Sequence, residues 1–206
     1  MIKSYTTLIL DMYGVILNEP KGRLLAYARD NLSESEYNRV ESLIHENRLF
    51  DKAGLGEINA REFMQTLGFD DWEYHSKQYI DNYLTLDSEF LDFAERVKDK
   101  YELVLLSNDV AEWSEYICKK FGLNKYFSRK IISAEVKIRK PSLEIYDLAL
   151  EKTGKSPYEC IFVDNSAQNL VAAEEVGISP ILFNRENEHY YGMTVYSFKE
   201  LYDILG

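Results

Sequence analysis

The sequence has few of the features that mark secreted, membrane-bound or disulfide-rich proteins. Only two of its 206 residues are cysteines, Cys118 in a helical pattern and Cys160 at the start of an apolar run, so both thiols are predicted to be buried and reduced. No apolar stretch approaches the length of a membrane span. The N-terminal apolar run is interrupted by Asp11 and lacks a signal-peptide cleavage pattern. We therefore expect a cytoplasmic protein that does not associate with membranes.

Basic residues are scarce relative to acidic ones. The chain has 24 Lys and Arg against 35 Asp and Glu, a formal net charge of −11, and the acidic residues are spread along its length. Nucleic acids and anionic membranes both require clustered Lys and Arg, so no nucleic acid is expected as a partner. An anionic substrate would have to be held by a locally positive pocket.

Hydrophobic periodicity divides the chain into two kinds of sequence. From about residue 16 to residue 86 the apolar residues recur at helical spacing, without a convincing strand. Beyond residue 86, short apolar runs alternate with helical patterns, which is typical of a parallel sheet with right-handed crossovers. We predict an α/β fold with a Rossmann-like parallel sheet core (residues 1–15 and 87–206) and an inserted α-helical cap domain (residues 16–86).

The first apolar run, residues 7–10, leads directly into Asp11, and Gly14 follows shortly after. A parallel strand that is buried on both faces has such a sequence, and ligands of open α/β sheets bind outside the carboxyl ends of the strands. A carboxylate at that point can attack a phosphoryl group or an alkyl carbon, or hold a metal ion. Many strands end in Asp only to cap the next element, so the importance of Asp11 depends on what the other strand ends carry.

Three later segments also place polar residues at strand ends or turns: residues 103–108, 138–141 and 160–165. With Asp11 they resemble, in order, the four motifs of the haloacid dehalogenase superfamily, which are a nucleophilic Asp, a Ser or Thr, a Lys, and an acidic metal-binding segment. The resemblance covers nearly the whole chain, with a long insertion between the first two motifs. It implies a phosphatase-like hydrolase with a helical cap.

The resemblance also implies roles for individual residues. Asp11 is the expected nucleophile, which would form an aspartyl-phosphate. Ser107 and the backbone N–H of Asn108 are expected to bind the substrate phosphoryl group. Lys140 is expected to neutralise charge between nucleophile and phosphate, as a catalytic and substrate-binding residue at the start of a helix. Its neighbour Arg139 is expected to face outward.

The same resemblance predicts a metal site. Asp11, Asp164 and the backbone carbonyl of Tyr13 would bind Mg²⁺, a cation that prefers oxygen ligands. Asn165 stands where a second acid is common in this motif, and Asn169 is expected to orient Asp164 or Lys140. These two asparagines are therefore predicted to support the site.

Tyr13 departs from the phosphatase pattern, because most phosphatases of this superfamily carry a second Asp there. A phenol with a pKa of about 10 is a poor general base at neutral pH. The 2-haloacid dehalogenases, which use no metal, carry Tyr at this position, whereas Asp164 opposes that alternative. A degenerate member that only binds phosphate or a partner protein is the other alternative. The leading hypothesis is a Mg²⁺-dependent phosphatase of a small phosphorylated metabolite, acting as a monomer or homodimer.

Overall fold

A single parallel sheet organises the chain. The computed structural model describes residues 5–205, so the ends of the predicted core range, residues 1–4 and 206, lie outside it. The strands are β1 (Thr7–Leu10), β2 (Glu102–Ser107), β3 (Phe127–Ile132), β4 (Cys160–Asp164), β5 (Ser179–Phe183) and β6 (Met193–Val195). They form a six-stranded sheet in the order β3-β2-β1-β4-β5-β6, and every neighbouring pair is parallel.

The helices fall into two groups. Those between β1 and β2 that form the helical insertion (residues 24–83) are α1 (Leu24–Asn31), α2 (Glu34–His45), α3 (Leu49–Gly54), α4 (Ala60–Leu67) and α5 (Trp72–Tyr83). The others are α6 (Phe90–Val97), α7 (Ala111–Lys120), α8 (Ser133–Val136), α9 (Leu143–Thr153), α10 (Ala167–Glu175) and α11 (Phe198–Leu205). The predicted α/β fold class with an inserted helical segment is confirmed, and the domain boundaries near residues 16 and 86 remain our proposal.

Burial on both faces explains the apolar runs of the central strands. Every residue of β1 and β4 is buried. The register places Leu10 beside Leu105 on one side and beside Val163 on the other. Because Asp11 follows Leu10 and Asp164 follows Val163, the two carboxylates are neighbours at the carboxyl edge of the sheet.

The two chain segments that connect the sheet to the helical insertion lie side by side. Leu17 and Leu86 form an antiparallel bridge, and the backbone N–H of Asp87 donates to the Ile16 carbonyl at 2.9 Å. The insertion is thus connected to the sheet by a short two-stranded ribbon rather than by two separate loops.

Trp113 of α7 joins the insertion and the sheet domain in one hydrophobic cluster. Its ring lies edge-on to Phe63 of α4, with centroids 5.4 Å apart, and 5.1 Å from the ring of Tyr79 of α5. Its indole Nε1 donates to Ser76 Oγ at 3.0 Å, so the buried N–H is satisfied. Trp113 is 1% exposed, which makes it the centre of this interface.

Ion pairs cross the same interface at its edges. Arg139, directly before Lys140, pairs with Asp51 of α3, and Lys120 of α7 lies 3.1 Å from Asp81 of α5. The expectation that Arg139 faces outward is therefore wrong, because the carboxylate of the insertion draws its guanidinium inward.

Two predictions about the composition can be checked directly. Cys118 and Cys160 are buried and unpaired, as predicted. Within residues 5–205, no helix combines the length and apolar character needed to cross a membrane.

We predict that Trp113→Ala lowers the free energy of unfolding by about 3–5 kcal/mol, the cost of a large cavity in a packed core. Unfolding should remain one transition, because the insertion and the sheet domain share that core. Urea denaturation followed by far-ultraviolet circular dichroism measures both. The control is Trp72→Ala, at a half-buried position of α5, with an expected loss of about 1 kcal/mol. Two separate transitions in the wild type would contradict the shared core.

Candidate active site

Four predicted site residues meet at the carboxyl edge of the sheet. Asp11 follows β1, Ser107 ends β2 and Asp164 ends β4, while Lys140 comes from the segment between α8 and α9. The ends of neighbouring parallel strands lie together, which is why three short motifs far apart in sequence form one site.

Lys140 connects the two carboxylates. Its Nζ lies 2.8 Å from Asp11 Oδ1 and 2.7 Å from Asp164 Oδ2, and it also donates to the Leu106 carbonyl at 2.9 Å. Lys140 is 2% exposed and Asp164 is fully buried, whereas Asp11 reaches the surface of the cleft described below. The ammonium therefore uses its three donors on the site itself.

Hydrogen bonds hold Asp164 in place. The Asn169 amide donates to both carboxylate oxygens at 3.1 Å, and the backbone N–H of Ser166 donates to Oδ1 at 2.8 Å. Asn169 thus orients Asp164 and, through it, Lys140. Asn165 lines the cleft, and the hydrogen bonds within residues 5–205 include none to its side chain.

Asn108 holds the Lys140 backbone. Its Nδ2 donates to the Lys140 carbonyl at 2.9 Å, and its Oδ1 accepts from the Lys140 N–H at 2.9 Å. The expectation that Lys140 begins a helix is wrong: α9 begins at Leu143, after the cap residue Ser142. The backbone N–H of Lys140 bonds to the Asn108 side chain after β2 instead, and Lys140 lies in the turn before the helix, where the Ser142 N–H donates to the Arg139 carbonyl at 3.0 Å.

Ser107 lies beneath the site. It is fully buried, and its Oγ has no hydrogen-bond partner within residues 5–205. An unsatisfied buried hydroxyl costs about 1–3 kcal/mol, so this position has unused hydrogen-bonding capacity.

The charges of the cluster influence each other strongly. Burial raises the pKa of the Asp11 carboxyl to about 7; Lys140 opposes this rise and Asp164 adds to it. Burial alone would lower the pKa of Lys140, but Asp11 and Asp164 together raise it above its ordinary value. One ammonium between two carboxylates leaves the cluster with a net charge of −1 when all three are ionised, which favours binding of a cation.

The donor set fits a hard cation. Asp11 Oδ2 accepts no hydrogen bond within residues 5–205, because the bonds of this side chain all involve Oδ1. The described residues contain no group of three or more His, Cys, Asp or Glu side chains able to hold a metal. A cation here would therefore depend on Asp11, Asp164, backbone or amide oxygen and water, which is the ligand type that Mg²⁺ prefers.

The Tyr13 side chain points to a buried acid that sequence analysis missed. Its hydroxyl donates to Asp109 Oδ1 at 3.2 Å, and Asp109 also accepts from the Ser114 hydroxyl. Burial and then the nearby Asp109 raise the pKa of Tyr13 well above its ordinary value, and burial raises the pKa of Asp109 to about 7. Tyr13 therefore remains a neutral phenol. No sequence pattern had assigned a role to Asp109.

A cleft of about 800 Å³ opens above Asp11. The sheet domain contributes Asp11, Asn108, Lys140, Asn165, Ser166, Asn169, Glu186 and Glu188 to its lining, together with Tyr13. The loop before α1 and the helical insertion contribute Pro20, Lys21, Gly22, Arg23, Leu24, Leu25, Ala26, Ile44, His45 and Phe50. Asp11 thus lies where a small molecule held between the sheet and the insertion would reach it.

Arg185 holds both connections to the insertion, and no sequence pattern pointed to it. From the loop after β5, its Nε donates to the Gly14 carbonyl and its Nη2 to the Val15 carbonyl, both at 3.0 Å. The same Nη2 pairs with Asp87 on the returning connection. Arg185 therefore fixes the turn that contains the Tyr13 carbonyl.

Comparison with known proteins gives one family. A model of haloacid dehalogenase-like hydrolases matches residues 5–177. The sequence is similar to D-ribitol-5-phosphate phosphatase of Bacteroides thetaiotaomicron, with 25% identity over 201 residues that cover 91% of this chain and 93% of the relative. It is also similar to (S)-2-haloacid dehalogenase 4A of Burkholderia cepacia, with 22% identity over 202 residues, 90% of this chain and 86% of that protein.

The fold is likewise shared with a solved structure. A haloacid dehalogenase family enzyme of Bacteroides thetaiotaomicron, solved in complex with magnesium and inorganic phosphate, superposes with a TM-score of 0.75 at 24% identity, covering 91% of this chain and 98% of that one.

We predict that Arg185→Met lowers the free energy of unfolding by about 3 kcal/mol, because it leaves the buried Asp87 carboxylate without its ion pair. The double variant Arg185→Met/Asp87→Asn should recover part of this loss, which a double-mutant cycle in urea measures. The control is Arg129→Met, since the exposed Arg129 also donates to a carbonyl, that of Lys152; its expected cost is below about 0.5 kcal/mol. Strictly additive effects of the two substitutions would contradict the coupling.

Proposed function

Since the chain belongs to the haloacid dehalogenase-like hydrolase family, we propose that this hydrolase is a Mg²⁺-dependent phosphatase of small phosphorylated metabolites that acts through an aspartyl-phosphate. The observation that carries the proposal is the buried Lys140 between Asp11 and Asp164, with Asp11 at the floor of the cleft. The similarity to a D-ribitol-5-phosphate phosphatase supports phosphoryl transfer, as does the fold shared with a magnesium and phosphate complex.

The proposed reaction has two displacements at phosphorus. A carboxylate oxygen of Asp11 attacks, an O–P bond forms, and the bond from phosphorus to the ester oxygen breaks. The departing oxygen takes a proton from solvent and leaves as the alcohol. Water then attacks the same phosphorus and loses a proton to solvent, the bond from phosphorus to Asp11 breaks, and inorganic phosphate and the free Asp11 carboxylate are formed. In this reaction Lys140 would supply positive charge next to Asp11, and the Ser107 hydroxyl, which has no partner within residues 5–205, would donate to a phosphoryl oxygen.

We assign the cation to Asp11, Asp164 and the Tyr13 carbonyl, with Asn165 and Asn169 in support. When bound, Mg²⁺ supplies positive charge to phosphoryl oxygens. Asp164 is fully buried and already accepts from Lys140, Ser166 and Asn169, so a cation held there would compete with the Asn169 amide for a carboxylate oxygen. Asn169 is thus proposed to set how readily Asp164 becomes a ligand.

The second candidate function is metal-independent 2-haloacid dehalogenation. The neutral phenol at position 13 favours it, together with the similarity to (S)-2-haloacid dehalogenase 4A. In that reaction Asp11 would attack carbon and expel halide. A buried acid at position 164 is not required for it, which is why phosphate hydrolysis is preferred.

We predict that EDTA abolishes phosphate release from an aryl phosphate and that added Mg²⁺ restores it. Asp164→Ala should remove the Mg²⁺-dependent activity while circular dichroism shows a retained fold. Asp11→Asn should lower turnover by about 10³-fold or more, as expected for loss of a nucleophile. The control is Asp147→Asn, since Asp147 is exposed on α9. Halide release from 2-chloropropionate that persists in EDTA, without phosphate release, would establish the second candidate instead.

We predict that aryl phosphates turn over faster than alkyl phosphates by about 10²–10⁴-fold, the usual contribution of acid–base catalysis. The reason is that the phenol of Tyr13 is bound to Asp109 and does not protonate the leaving alcohol. Tyr13→Asp should raise the turnover of alkyl phosphates, provided that circular dichroism shows a folded protein. Equal rates of the wild type on alkyl and aryl esters would mean that another group donates the proton.

A further inference from the structure

The inner part of the cleft has an apolar wall, which we define by its residues on the insertion. They are Leu24, Leu25, Ala26, Ile44 and Phe50, from α1, α2 and α3. Apart from the exposed Ala26, these residues are buried or half-buried. The wall is therefore an apolar surface in the same cleft that Asp11 lines.

Charged and polar residues on the same side of the cleft come from the loop before α1 and from the end of α2. Lys21, Arg23 and His45 also line the cleft but are exposed. Lys21 lies 3.9 Å from Glu186 of the sheet domain, so this pair spans the cleft at its solvent side. The cleft thus combines a mostly buried or half-buried apolar wall with charged side chains that are exposed to solvent.

Polar side chains of the sheet domain are mostly committed to the site itself. Asn108 is bonded to the Lys140 backbone and Asn169 to Asp164, while Glu188 accepts from the backbone N–H of Ala167. A polyol against the wall would exchange bonds to water for contact with carbon. Among the sheet-domain side chains that line the cleft, only those of Asn165 and Ser166 form neither a hydrogen bond nor an ion pair within residues 5–205.

Packing keeps the wall in position. The Phe50 ring is edge-on to Phe63 and to Trp113, with centroid distances of 5.6 and 6.2 Å. Trp113 belongs to the sheet domain, so the wall is tied to the element that follows Ser107 and Asn108. The wall therefore has a defined position relative to Asp11.

We propose that the alcohol of the natural phosphate ester is an apolar alkyl or aryl group that packs against the wall at Leu25, Ile44 and Phe50. This rests on the proposed phosphatase function and narrows its substrate class. It also distinguishes this chain from the relative named for D-ribitol 5-phosphate, whose alcohol is a polyol.

The test uses ethyl, butyl and hexyl phosphate, whose leaving groups are nearly equal in acidity, together with D-ribitol 5-phosphate. In the wild type with Mg²⁺, kcat/KM should rise by up to about fourfold for each added methylene, the value of its transfer from water. The kcat/KM of hexyl phosphate should be higher than that of D-ribitol 5-phosphate. The proposal is overturned if kcat/KM is the same for the three alkyl phosphates, or if it is highest for D-ribitol 5-phosphate.

Two variants test whether the wall causes the preference for longer alkyl groups. Leu25→Asn and Ile44→Asn should each lower the hexyl-to-ethyl ratio of kcat/KM by about tenfold or more, the effect of losing contact with two or more methylenes. The matched control is Leu43→Asn: Leu43 precedes Ile44 and is half-buried, but does not line the cleft. Its ratio should equal that of the wild type. Equal ratios in all three variants, each shown to be folded by circular dichroism, would overturn the assignment of the wall.

A binding measurement separates this inference from the proposed function. Hexylphosphonate should bind the wild type with Mg²⁺ more tightly than ethylphosphonate in calorimetry, and Ile44→Asn should abolish the difference. Tighter hexyl binding in a protein that hydrolyses no phosphate ester would contradict the proposed function alone. Equal binding of the two phosphonates would contradict the apolar substrate class whether or not the protein is a phosphatase.

Discussion

The ion pairs of Lys140 with Asp11 and Asp164 are the constraint on which the rest of the site depends. Two carboxylates side by side at a sheet edge repel each other, and burial adds a desolvation cost to each. The ammonium between them offsets both effects, and its three donors are all used within the cluster. The surrounding hydrogen bonds serve this geometry: Asn108 fixes the lysine backbone, and Asn169 fixes the second carboxylate.

Sequence predicted the parts of the site that follow from local pattern. A buried parallel strand has to be apolar along its length, so Asp11, Ser107 and Asp164 stood out at the ends of three such runs. Parallel pairing of the strands then brings those ends together. Lys140 was predicted as a site residue from the resemblance to the family motifs. The α/β class followed from the same alternation of strands and helices.

What sequence did not predict depends on contacts between distant segments. No local pattern singled out Asp109, and only its hydrogen bond with the distant Tyr13 phenol connects it to the site. Arg185 follows the fifth strand in a loop without periodicity, yet it binds both connections to the insertion. Arg139 was expected in solvent because the partner that holds it, Asp51, is far away in sequence.

The charge of the site connects the proposed cation with the proposed apolar substrate. The ionised cluster carries −1 in a chain of formal charge −11, so a phosphate dianion is repelled unless positive charge accompanies it. Within the cleft, Lys140 is already paired with two carboxylates, and the other cations of the lining, Lys21 and Arg23, are exposed. Affinity for the organic part of the ester therefore has to come from other contacts. The apolar wall can supply this affinity, because apolar area of the ester is removed from water when it packs against the wall. This hydrophobic contribution does not depend on charge and is not weakened by the negative charge of the protein.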